Sequence, residues 1–257
     1  MLDGDGVKTM FNKPTAITIG IDGTAYVWDS GNSRIRRSTS KGNVFSLPAG
    51  QFSSVSDLAT LPTGEIVVAG SGRIRGIRSS GEIFDIAGGF SDNLSIAVDW
   101  AGNIFVADFF NHRIRRISPD RNVSTIAGSG NIGSVGGEGI FSSFEFPDGI
   151  AVNSLGGIVV HQQGGSVTRT ISPTGVVSGS TIPSPSEPRI PRFLAFDEFD
   201  ILYQGTVSAA HQIVGRNFKG EEVIAFAVEE RSETSPQIGT DISSQPIRTL
   251  TNSLGFR

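Results

Sequence analysis

The chain of 257 residues is 37% apolar, with 33 glycines against 12 prolines, no cysteine and a net charge of -4. That length can bury a core as one domain, and the composition excludes a collagen-like repeat, a disulfide framework, a cysteine zinc site and a thiol nucleophile. So small a net charge exerts no global pull toward nucleic acid or anionic lipid, and any basic patch has to be local.

The opening stretch, MLDGDGVKTMFNKP, has neither a basic n-region nor an apolar h-region, and no apolar run approaches the roughly 18 residues of a membrane span. The expectation is a soluble chain without a secretion signal or membrane segment; its compartment is not indicated. From residue 11 onward a turn-and-strand element recurs: DGTAYVWD at 22–29, TGEIVVAG at 63–70, AGNIFVAD at 101–108, LGGIVVHQ at 155–162 and, more loosely, EFDILYQG at 198–205. The second residue of each falls at 23, 64, 102, 156 and 199, giving spacings of 41, 38, 54 and 43. The long spacing contains a Gly/Ser-rich insertion, assigned to 131–145, whose composition suits a loop leaving one face.

The second half of the unit repeats as NSRIRRSTSKGNVFSLPAG from Asn32, SGRIRGIRSSGEIFDIAGG from Ser71 and NHRIRRISPDRNVSTIAGSG from Asn111, then loses most of its arginines in the copies from Gly165 and Ala210. Each copy offers four short segments of β-branched or aromatic residues mixed with polar ones, separated by Gly, Asp or Asn turns. Four strands in about 40 residues are marginal alone, but copies packed face to face bury their apolar sides continuously, and radial closure protects the edges. The prediction is an all-β propeller of four-stranded antiparallel blades.

The copies AGNIFVADFFNHRIRRI and DGTAYVWDSGNSRIRRS resemble NHL repeats, with their Gly-Asn/Asp turn, aliphatic strand ending in Ala-Asp and Asn-x-Arg-Ile-Arg run. The resemblance implies a β-propeller, usually of six blades, placed here at 11–50, 51–89, 90–130, 146–180, 188–222 and 223–251, the last degenerate or incomplete. The residues ahead of Phe11 are candidates for a closing strand of that last blade.

Asp29 and Arg34 stand five apart, as do Asp108 and Arg113, so a hairpin brings each carboxylate to a guanidinium and both pairs read as structural. Arg36, Arg75 and Arg115 recur at one level of the unit, which suggests a basic arc on the surface. Among the histidines, His112 and His211 occupy similar places and His161 a different one, which argues against a common metal site. With no converging catalytic set visible, no cofactor is expected and the leading expectation is a non-catalytic scaffold for a protein or peptide partner. The alternatives are single-stranded RNA binding through the arginine arc and a propeller hydrolase or lyase with an axial active site.

Overall fold

A computed structural model describes residues 3–5, 10–48, 50–163, 167–179, 194–197, 199–205, 212–216 and 222–227. The first blade begins with a two-residue strand, β1 (Gly4–Asp5), followed by β2 (Pro14–Ile19), β3 (Ala25–Asp29), β4 (Arg34–Ser38) and β5 (Asn43–Ser46). The second holds β6 (Asp57–Thr60), β7 (Ile66–Gly70), β8 (Arg73–Ile77) and β9 (Ile83–Gly88), and the third β10 (Leu94–Val98), β11 (Ile104–Asp108), β12 (Arg113–Ile117) and β13 (Val123–Ala127). The insertion contributes β14 (Gly137–Glu138), and the fourth blade continues with β15 (Pro147–Val152), β16 (Ile158–Gln162), β17 (Val167–Ile171) and β18 (Val176–Gly179). The fifth has β19 (Leu194–Phe196), β20 (Leu202–Gly205), β21 (Gln212–Arg216) and β22 (Glu222–Ala227).

Every blade is an antiparallel meander, and the inner strands β2, β6, β10, β15 and β19 follow one another round an axis. The apolar alternation of each strand feeds the space between blades. Trp28, Ile35, Leu58 and Val68 fill the first junction, Val67, Ile74, Ile96 and Val106 the second, Ala107, Ile114, Ile150 and Val160 the third, and Ala151, Val159 and Leu202 the fourth. Polar bonds join the inner strands as well: Asp57 Oδ2 accepts from Ser95 Oγ and from the Ile96 N–H, both at 2.9 Å.

Six blades were expected, and among the described residues there are five sheets, two of them five-stranded. The sequence reading ends the fifth blade one strand too early: Val223 to Ala227 lie in β22, which pairs with β21 and completes that blade instead of opening a sixth. The rest of the expected sixth blade lies outside the described residues. Nor does the N-terminal lead close a last blade. Gly4 and Asp5 pair with Val44 and Asn43, adding a fifth strand to the outer edge of the first blade, and β14 does the same on β18 of the fourth. Among the described residues no helix is long and apolar enough to cross a membrane.

Candidate active site

The second strand of each blade ends at the same face of the propeller, and there the repeat reveals what its polar residues do. Asp29 and Asp108 are fully buried. Asp29 accepts from the Asn12 N–H at 2.6 Å and from Asn32 Nδ2 at 2.8 Å; Asp108 accepts from the Ser91 N–H at 2.8 Å and from Asn111 Nδ2. Each carboxylate thereby clamps a one-turn 3-10 helix to the strand that enters the blade.

The ladder sets Arg34 opposite Asp29 and Arg113 opposite Asp108, yet the ion pairs go to other arginines. Asp29 Oδ2 meets Arg36 Nη1 at 3.2 Å, and Asp108 Oδ2 meets Arg115 Nη1 at 3.7 Å. The diagonal partner, two residues along on the same face, has the reach to turn back toward a carboxylate held at the strand end. Arg113 instead donates to the Ser129 carbonyl at 3.1 Å.

The expected basic arc is correspondingly not a free surface. Arg36 is completely buried, while Arg75 and Arg115 are half-buried. Each guanidinium lies over a phenylalanine from the segment entering its own blade: Arg36 over Phe11 at 5.3 Å, Arg75 over Phe52 at 4.8 Å and Arg115 over Phe90 at 5.7 Å. Arg169 over Phe144, at 5.5 Å, continues the series in the fourth blade. These are cation–π clamps between the entering chain and the third strand.

The fourth blade departs from the pattern where chemistry is concerned. A bulge between Pro147 and Gly149 leaves Asp148 outside the ladder of β15, and Asp148 Oδ1 lies 2.6 Å from His161 Nδ1 on β16. Both residues are 4% exposed. In the first blade the corresponding bulge residue and strand position are Thr15 and Trp28. A carboxylate only accepts, so Nδ1 carries a proton, and in the neutral ring Nε2 holds the lone pair. That Nε2 is buried and has no hydrogen-bond partner among the described residues. Alternation along β16 puts His161 with Val159 on the side facing the fifth blade.

His112 belongs to the same face of the propeller, as the left-handed cap after the turn Phe109–Asn111. Its Nδ1 accepts the Phe146 N–H at 3.3 Å and its ring meets the Phe146 ring edge-on at 4.7 Å, two residues ahead of Asp148. Burial lowers its pKa, against an opposing pull from Glu145. His211 lies outside the described residues, and among these no group of three or more acidic or histidine side chains is arranged to hold a metal. A groove of about 560 Å³ lies at the opposite face, by Ile21, Asp22, Tyr26, Glu65 and Arg78. Its Arg78 is paired with Glu82 at 2.6 Å and with Glu65 at 3.6 Å, which makes it a poorer seat for chemistry than the buried dyad.

No protein-family model matches the chain, and no curated protein matches its sequence. The fold is similar to virginiamycin B lyase from Staphylococcus aureus, at 16% identity over 90% of this chain and 74% of the other with a TM-score of 0.65. A catalytically inactive histidine-to-alanine form of that enzyme with quinupristin matches at 17% identity, 90% and 75% coverage and TM-score 0.64. The gluconolactonase of Xanthomonas campestris matches at 13% identity, 85% and 76% coverage and TM-score 0.67, and a nidogen/laminin complex at 16% identity, 84% and 81% coverage and TM-score 0.67. Likeness at these identities establishes the propeller fold, which by itself selects no activity.

The findings correct the sequence reading in two respects. Membership of the NHL-repeat family is overturned, since no such model matches and the similar structures include lyase and lactonase propellers. The expectation of a non-catalytic scaffold rested on the absence of a converging catalytic set. Asp148 and His161 converge, and enzymes stand among the similar folds. Sequence spacing missed the pair because 13 residues and a bulge separate its members. The signal available was His161 itself, an ionisable residue at a strand position where the first three copies have Trp28, Ala69 and Ala107 and the fifth has the uncharged Gln204.

Proposed function

We propose that this chain is a propeller enzyme of the lyase or lactone-hydrolase type, in which His161 is the general base and Asp148 its positioning partner. The observation that carries the reading is the buried Asp148–His161 pair with its unpartnered Nε2. Asp148 fixes the tautomer and ring orientation and stabilises the imidazolium formed when Nε2 accepts a proton. Both chemistries start with a base beside a carbonyl compound. In a lyase, Nε2 takes a proton from the carbon next to the carbonyl, the C–H electrons form a C=C bond and the leaving oxygen departs with the pair. In a lactonase, Nε2 takes a proton from water, the water oxygen bonds to the carbonyl carbon, and the ring C–O bond breaks as the proton returns to the departing oxygen. The similar enzymes support this choice of reactions, and the inactive histidine variant of the lyase agrees with a histidine at the centre.

The test is incubation with gluconolactone and with quinupristin, followed by mass spectrometry. Hydrolysis adds one water and elimination within a ring leaves the mass unchanged. Turnover on either, lowered about a hundredfold or more in His161→Ala and Asp148→Asn, is the expected result. Turnover unaffected in both folded variants would exclude His161 as the base.

A further inference from the structure

Arg169 is the fourth-blade counterpart of Arg36, and the two differ in what neutralises them. Two carboxylates serve Arg36: Asp29 at 3.2 Å from Nη1, and Asp3 at 3.2 Å from Nη2. Asp3 is itself held by the Ser46 N–H at 3.0 Å and Ser46 Oγ at 2.7 Å. The fourth blade reproduces this frame residue for residue. Gly137 pairs with Val177 as Gly4 pairs with Val44, so Gly136 stands where Asp3 stands. Arg169 is opposite Gly179 as Arg36 is opposite Ser46. Gln162 closes β16 where Asp29 closes β3.

Both acids are therefore missing. Gln162 keeps half of the role of Asp29, since its Oε1 accepts the Glu145 N–H at 3.4 Å as Asp29 accepts that of Asn12. Its other amide atom is a donor, Nε2, which bonds Ser134 Oγ at 3.0 Å. At Gly136 there is no side chain at all; a Cβ there would stand 2.9 Å from the Val177 carbonyl oxygen and 3.6 Å from Arg169 Nη2, so only a residue without one passes this close to β18 beside the guanidinium. Arg169 itself is 1% exposed and donates to the Ser178 carbonyl at 3.2 Å and the Ser143 carbonyl at 3.3 Å, with no carboxylate partner among the described residues. A buried guanidinium with neutral partners only is costly, and burial pulls its pKa down with no acidic neighbour to oppose it.

We infer that Arg169 forms an anion-binding site, with its Nη2 and the Gly179 N–H receiving a halide or a small carboxylate in the space that the Asp3 side chain fills in the first blade. Gly136 and Ser134 are exposed, so the ligand enters through the insertion. The site faces the third blade, on the opposite side of the sheet from His161, and is independent of the proposed activity.

The wild-type protein, Gln162→Asp and Arg169→Met are melted across bromide and acetate series at fixed ionic strength, and wild-type crystals grown in bromide are measured for anomalous scattering. The expected result is a saturable rise of wild-type Tm in at least one series, weaker in Gln162→Asp, whose carboxylate restores the counterpart of Asp29, neutralises the guanidinium and begins from a higher Tm while leaving the Asp3 space open. Response to bromide alone assigns a halide site with an anomalous peak beside Arg169 Nη2; response to acetate alone assigns a carboxylate site. A flat wild type in both series, or equal rises in wild type and Gln162→Asp, overturns the site. If Arg169→Met does not fold, Gln162→Asp decides.

Discussion

Asp29 holds Arg36 across a diagonal of the first blade, 3.2 Å from carboxylate to guanidinium, with both side chains wholly out of solvent. Asp29→Asn retains the capping oxygen and removes one of the two carboxylate charges set beside Arg36. A loss of about 3 kcal/mol is expected from urea denaturation, because the change takes the buried carboxylate away from a buried cation. Arg34→Ala, at the position directly opposite Asp29, is expected to cost about 1 kcal/mol or less. Equal effects would mean that the diagonal pair is not what holds this corner.

The stacking of Arg75 on Phe52 is measurable as a coupling. Arg75 also donates to the Gln51 carbonyl at 2.8 Å, so single substitutions mix several losses. A double-mutant cycle with Phe52→Leu and Arg75→Met isolates the ring contact, and a coupling of about 0.5–1 kcal/mol is expected. Additive single effects would reduce the recurring phenylalanines to apolar filler.

His112 gives the fold a pH dependence whose sign follows from burial. Its pKa in the folded chain lies below the ordinary value of about 6.5, so the unfolded chain binds the proton more readily. The contribution is complete above about 6.5 and is lost as pH falls through that value toward the folded one. Urea midpoints should drop between about pH 7.5 and about pH 5, and the drop should shrink in His112→Asn, which tolerates the left-handed backbone at φ 53°. An unchanged slope in that variant would assign the acid sensitivity elsewhere.

In the third blade, Ile104 packs toward the second blade and Ile114 toward the fourth. Truncating either to Ala is expected to cost about 2–5 kcal/mol, and exposed Arg116→Ala much less. Chemical denaturation of the three variants checks the facing of β11 and β12 directly.

The architecture was legible because its signals are local. Alternation of period two, Gly/Asp turns and a repeat near 40 residues are enough to specify meandering sheets that need neighbours. Partner choice was less accessible. Ladder opposition points to Arg34, while side-chain reach selects Arg36, and nothing in the spacing distinguishes them. Gly70, which replaces the aspartate in the second copy, reads in sequence as a lapse; a Cβ there would collide with the Ser54 carbonyl, so the entering chain occupies the space a carboxylate needs. The Asp148–His161 contact depends on a bulge, an irregularity that periodicity averages away. The end of the fifth blade was misplaced because its third strand, β21, keeps one arginine, Arg216, where β4 and β12 carry three each.

The two short strands added by the N-terminal lead and the insertion also determine which rims can accept a neighbour. β1 occupies the open ladder of β5, and β14 that of β18. Their first residues, Gly4 and Gly137, have φ of 123° and 110°, backbone that only glycine adopts readily. In the second blade β9 is obstructed by Arg121 of the third, which donates to the Asp85 carbonyl at 3.2 Å. The end of β13 is blocked by the Gly128 N–H bonding the Gly139 carbonyl at 2.9 Å. Residues 123–125 of β13 carry no such added contact among the described residues, so a crowded solution would begin intermolecular sheet growth there, and a charged replacement at Val123 is the economical way to suppress it.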